Sequence, residues 1–166
     1  MTPSTIVSIA EGYRPGAIGR IAELHGCYYA QHWGFGLFFE AKVATELSTF
    51  LTTYDTVRDG CWLALQDGRV QGSIIIDGSR ANDKGAHLRW FILSDALRGQ
   101  GIGHRLITRA VDFCIGKNYP RIYLWTFEGL HAARHLYERT GFRLTDQQPG
   151  AQWGVEVNEQ LYEYHL

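Results

Sequence analysis

The chain has 166 residues, with 16 Lys and Arg against 17 Asp and Glu for a formal net charge of −1, and is 45% hydrophobic and 20% charged. That length suits one core and is short for two, and the apolar fraction excludes a disordered chain. So even a charge balance excludes partners held by bulk charge, so neither nucleic acid nor a membrane surface is expected.

In chain order, Ile6, Val7 and Ile9 predict a short strand that Gly12 and Pro15 close. Ile18, Ile21, Ala22, His25, Tyr28 and Tyr29 then recur at helical steps. Trp33-Gly34-Phe35-Gly36 interrupts the pattern and Phe39, Val43, Leu47, Phe50 and Leu51 resume it, which predicts two adjacent helices. Cys61 to Gln66 and Val70 to Ile76 are β-formers joined by Asp67-Gly68-Arg69, a hairpin signal. After a polar loop, Ala86 to Leu93 predicts a third strand of this group, and Gly101 to Ile115 a helix with Ile102, Leu106, Ala110 and Phe113 on one face. A strand over Arg121 to Thr126, a helix over Leu130 to Arg139 capped by Gly141, and strands over Phe142 to Thr145 and Gly154 to Tyr164 complete the chain. The expectation is an α/β (α+β) fold: a single mixed, mostly antiparallel sheet with helices on both faces, in one domain over 1–166. Cys27, Cys61 and Cys114 are odd in number, form no CxxC pair and follow no apolar leader, which fits a reducing cytoplasm. No apolar run approaches the ~20 residues of a membrane-spanning helix.

The stretch that carries chemistry is the strand ending at Leu93, the basic turn Arg98-Gly99-Gln100-Gly101-Ile102-Gly103, and the helix that follows. A helix N-terminus offers unpaired N–H groups and a positive dipole end, and glycines let a pyrophosphate approach them. The spacing departs from GxxxxGK[ST], and the third glycine of the dinucleotide fingerprint is missing, so neither nucleotide motif fits.

The turn resembles motif A of the GNAT superfamily of N-acetyltransferases, R/Q-x-x-G-x-G/A. About thirty residues on, Ala132-Ala133-Arg134-His135-Leu136-Tyr137-Glu138-Arg139-Thr140-Gly141-Phe142 resembles that family's motif B. Within the family, His25-Gly26-Cys27-Tyr28-Tyr29-Ala30 and the ending Trp153-Gly154 to Glu159-Gln160 are similar to acetyltransferase domains sometimes fused behind a winged-helix regulator. Since the chain starts at Met1 just before its first strand, the catalytic domain alone is expected.

The resemblance implies acetyl-CoA as acetyl donor, its pyrophosphate on the backbone N–H groups of Arg98, Gly99, Gln100, Gly101, Ile102, Gly103 and His104. Its pantetheine arm would pair like an added strand with Phe91, Ile92 and Leu93. Tyr137 stands where many members protonate the departing thiolate; a phenol of pKa ~10 stays protonated at pH 7 and can at least donate a hydrogen bond. The acceptor amine, on a small molecule or a protein, must lose a proton, at a cost of ~4.6 kcal/mol for a lysine-like amine at pH 7. The strand from Ala86 to Leu93 carries no Asp or Glu, which leaves His87 and His25 as base candidates. Leu130 stands where the family often has Asn. His131 and His135 read as surface histidines, and no metal is expected. Tyr28, Tyr29, His32, Trp33, Phe35 and Trp125 are the candidate lining of an acceptor pocket, and the resemblance leaves room for a homodimer. A non-catalytic acyl-CoA-binding sensor or regulatory module is the alternative, and a phosphate-binding nucleotide module a third reading.

Overall fold

The computed structural model describes residues 6–166; Met1 and the four residues after it lie outside the described part. The elements run β1 (Val7–Glu11), α1 (Ala17–Trp33), α2 (Leu37–Thr52), β2 (Gly60–Gln66), β3 (Arg69–Asp77), β4 (Ala86–Leu93), α3 (Ile102–Gly116), β5 (Arg121–Phe127), α4 (His131–Thr140), β6 (Arg143–Gly150) and β7 (Val157–His165), with a short 3₁₀ turn over Asp95–Leu97. The seven strands form one sheet in the order β1-β2-β3-β4-β5-β7-β6. Every neighbouring pair is antiparallel except β4 and β5.

Local chemistry accounts for most of these elements. Asp67 and Gly68 both take positive φ, 52° and 74°, the conformation a two-residue hairpin turn requires. α1 and α2 lay Ile21, Phe39, Val43 and Leu47 on one face of the sheet against Leu63, Ile75 and Phe127. On the other face α3 places Ile102, Leu106, Ile107 and Ala110 against Ile74, Ile76 and Leu88, with Tyr137 and Phe142 from α4 and its end. Gly141 ends α4 in the left-handed conformation and returns its N–H to Tyr137 and Glu138. Two boundaries differ from expectation. β6 runs to Gly150, and β7 begins at Val157 because residues 151–156 form the turn that carries Trp153.

Two irregularities in β4 shape the middle of the sheet. Strand β4 pairs with β5 only at Ala86↔Ile122 and His87↔Tyr123, after which the strands part and the β5-facing edge of β4 is left unpaired. Opposite β3, two β4 residues, Trp90 and Phe91, stand against the single Ile74, which is a bulge. Trp90 takes φ 48°, and the Ser73 hydroxyl donates to its carbonyl at 2.6 Å. The bulge resets the alternation of side chains: Ala86, Leu88, Phe91 and Leu93 pack on the α3 side, and Trp90 packs on the α2 side.

Candidate active site

The gap between β4 and β5 opens into two cavities that share a wall. One, of about 530 Å³, lies along the end of β4 and the start of α4 and reaches the glycine-rich turn at Arg98, Gly99 and Gly103. The other, of about 440 Å³, lies under α1 and α2 and is closed by Gln152 and Trp153 from the turn before β7. Tyr29, Phe91, Leu130, Ala133 and Tyr137 line both.

The larger cavity ends at a helix start with no side-chain cap. α3 opens on Gly101, in the left-handed region at φ 76°, with no side chain capping it and no acidic residue in its first turn. Its first N–H groups therefore lack partners of the kind Ser or Asp would supply. A Cβ at Gly99 or Gly101 would meet nothing within 4 Å, so the space in front of the turn is open. Arg98 overhangs it, stacked 4.3 Å over the Tyr28 ring and donating to the Leu93 carbonyl at 3.3 Å. Tyr28 and His32 stand one turn apart on α1 with ring centroids 4.6 Å apart, and with Trp33 they line this cavity. Ile92 and Leu93 line it as well; Gln100, Ile102 and His104 belong to the turn and the first turn of α3 and are not part of its wall.

The smaller cavity contains His25, His87, Phe35 and Trp125. The His25 ring is buried, with Nδ1 2.8 Å from the Ile21 carbonyl; burial lowers its pKa to about 4, the backbone bond opposing. His87 stacks on Tyr123 at 4.4 Å, and burial, with Arg89 adding, lowers it to about 3. Both are neutral at pH 7. Moving a proton from an ammonium of pKa ~10.4 onto an imidazole of about 4 is uphill by ~9 kcal/mol. Either ring can accept a proton only from a nitrogen already made acidic by bonding to carbon.

Tyr137 is 7% exposed and packs against Phe91, Phe142 and Tyr162. Burial first, then the Tyr29 and Tyr162 phenols, pushes its pKa well above the ordinary phenol value. Tyr29 is raised in the same way, again chiefly by burial. Two phenols fixed in their protonated, donating form thus stand at the wall between the cavities. The buried thiols of Cys61 and Cys114 are pushed up to about 12 by burial and lie outside both cavities, so neither is a nucleophile. No group of three metal-ligating side chains occurs among the described residues, and no described helix is long and apolar enough to cross a membrane.

The sequence did not point to Lys42, Glu46 and Arg89 of the smaller cavity. Glu46 on α2 accepts from Lys42 Nζ at 2.8 Å and from Arg89 Nη2 of β4 at 2.5 Å. The one available signal was the i, i+4 pairing of Lys42 with Glu46, which carries no hint of a partner 43 residues away.

The sequence model of a family described as "Acetyltransferase (GNAT) family" matches residues 18–142. N-acetylaspartate synthetase from Danio rerio is 31% identical over 107 residues, which is 64% of this chain and 38% of that protein; the chain thus spans well under half of that relative's length. Among solved structures, an acetyltransferase from Streptococcus agalactiae is 23% identical with a TM-score of 0.74, covering 96% of this chain and 98% of that one. A GNAT family acetyltransferase from Elizabethkingia anophelis with acetyl-CoA bound is 16% identical with a TM-score of 0.65, covering 96% and 98%. At these identities the two structures establish the fold.

Proposed function

The chain belongs to the GNAT acetyltransferase family, and from that premise we propose that it is an acetyl-CoA-dependent N-acetyltransferase acting by direct attack of a primary amine on the thioester. The observation that carries this reading is the pair of cavities meeting at Tyr29, Phe91 and Tyr137. A module that only sensed acyl-CoA would need the larger cavity and would have no use for a second one opening onto the same wall.

The donor cavity fits acetyl-CoA in chemistry. The uncapped N-terminus of α3 and the open glycine turn suit a pyrophosphate, with Arg98 at the rim. The unpaired edge of β4 past His87 suits an extended amide chain added as a strand. Acetyl-CoA supplies an activated acyl group; the remaining work falls to the protein. Phe91, Tyr29 and Tyr137 enclose the meeting point, where the amine nitrogen bonds to the acetyl carbon and the carbon–sulfur bond breaks. The Tyr137 hydroxyl donates to the departing sulfur. The proton released from nitrogen has His25 and His87 within the same cavity wall, and the new thiol is its final holder. We place the chain in the cytoplasm, on the support of its free thiols at Cys27, Cys61 and Cys114.

The test is release of free thiol from acetyl-CoA across a panel of amines, with the acetylated product identified by mass. Stabilisation by acetyl-CoA without transfer to any amine would replace this reading with the sensor. Better stabilisation by ATP or NAD than by CoA would replace both.

A further inference from the structure

Three charged side chains meet at the wall of the smaller cavity, and the transfer step proposed above employs none of them. Lys42 and Glu46 stand one turn apart on α2, and Arg89 reaches them from β4. Each Glu46 oxygen accepts from one cation, Oε1 from Lys42 Nζ at 2.8 Å and Oε2 from Arg89 Nη2 at 2.5 Å. The carboxylate's charge is therefore offset by two cations, and the trio carries a net charge of +1. The Arg89 guanidinium carbon lies 4.1 Å from the centre of the Trp90 ring, within cation–π range. Among the described residues its Nε and Nη1 have no acceptor, and Lys42 keeps two further donors. Glu46 is the sole carboxylate among the cavity's lining residues.

A half-buried guanidinium with idle donors beside a cavity is a place where an anion gains and a cation loses. A polyamine would carry its second ammonium toward a cluster already positive, whose one carboxylate is paired with two cations. A protein lysine would leave the spare donors unanswered. One excess positive charge matches one carboxylate. Resting on the acetyltransferase reading, we propose that the acceptor is an amino acid whose carboxylate docks on Arg89 and Lys42 while its amine faces the shared wall at Tyr29 and Tyr137. Phe35, Phe127 and Trp153 on the remaining wall then receive its side chain.

The experiment compares kcat/KM for the common amino acids, each beside its own carboxamide, together with spermidine and an amide-capped lysine peptide. The best amino acid is expected to exceed its carboxamide by about tenfold or more. In Arg89→Gln its KM should rise roughly 10–100-fold, so that the ratio between acid and carboxamide collapses toward one, with KM for acetyl-CoA changed by less than about threefold. Should Arg89→Gln fail to fold, Lys42→Met, on a half-exposed position of α2, reads the same ratio and should lower it. Equal use of acids and carboxamides, preference for spermidine or the lysine peptide, or a ratio unmoved by both substitutions would overturn the inference and leave the transferase reading standing. Absence of transfer to every amine, acid or amide, would instead fall on the transferase reading.

Discussion

Replacing Tyr137 with Phe removes one oxygen and little else. The ring is 7% exposed and held between Phe91, Phe142 and Tyr162, with centroids 6.2, 6.1 and 5.9 Å away, and a phenylalanine keeps all of those contacts. Among the described residues its hydroxyl has no hydrogen-bond partner, so its removal leaves nothing unpaired. Fold stability should stay within about 1 kcal/mol of the original. Catalysis should not. A hydrogen bond to a charged partner is worth about 1.5–3 kcal/mol, and losing it at the thiolate lowers kcat roughly 10–150-fold while leaving KM for both substrates nearly unchanged. Because burial holds the phenol above its ordinary pKa, the wild-type rate should show no alkaline fall below pH ~10 that belongs to Tyr137. The assay is steady-state thiol release beside thermal unfolding of both proteins. Full kcat in Tyr137→Phe, or a loss of kcat that tracks a loss of Tm, would refute the role.

Three further outcomes follow from the site and its support. His25 and His87 are held neutral by burial, with folded pKa values of about 4 and about 3 against an unfolded value of 6.5. Their contribution is present above pH 6.5 and is lost as pH falls, by about 2 kcal/mol each between pH 7 and pH 5; urea unfolding at the two pH values should show the drop, and His25→Leu should shrink it. Ser73→Ala strips the buried donor from the Trp90 carbonyl and should destabilise by about 1–3 kcal/mol, measured by denaturant midpoint, with KM rising as the bulge loosens. Gly101→Ala adds a methyl at φ 76° where a Cβ meets nothing within 4 Å; stability should fall by only about 1–2 kcal/mol, while calorimetry should find acetyl-CoA bound more weakly because the strain falls on the turn that presents the first N–H groups of α3.

What the sequence disclosed was whatever depended on near neighbours. The Asp67-Gly68 turn, the buried stripe of α3 and the Gly141 cap each rest on residues within a few positions of one another, and periodicity finds them. The start of β6 was legible but its continuation to Gly150 was not, because Arg143 to Pro149 are exposed on both faces; with neither face buried there is no alternation to read. The aromatic run on α1 was legible as a pocket wall, but not as the wall of two pockets. At ~100° per residue, Tyr28 and His32 turn toward Arg98 and the glycine-rich side, and Tyr29, one position on, lies where both cavities meet. The Lys42–Glu46–Arg89 group needed tertiary structure, since the sheet alone brings Arg89 beside α2.

The bulge at Trp90 is the feature that lets one strand serve two cavities. In an unbroken strand, residues 87, 89 and 91 would share a face and leave the other to 88 and 90. Phe91 would then sit with His87 and Arg89, and no β4 side chain would stand between the two cavities. The extra residue moves Trp90 to the α2 side, where it supports the Arg89 guanidinium at 4.1 Å, and turns Phe91 toward Tyr137 at 6.2 Å. Holding a tryptophan at φ 48° costs on the order of 1–3 kcal/mol. The Ser73 hydrogen bond at 2.6 Å and the Phe50 ring 5.6 Å away offset that cost. Trp90→Gly would relieve the backbone strain yet remove the platform under Arg89, so it should damage acceptor KM more than acetyl-CoA binding, whereas a strain relic without function would predict neither effect.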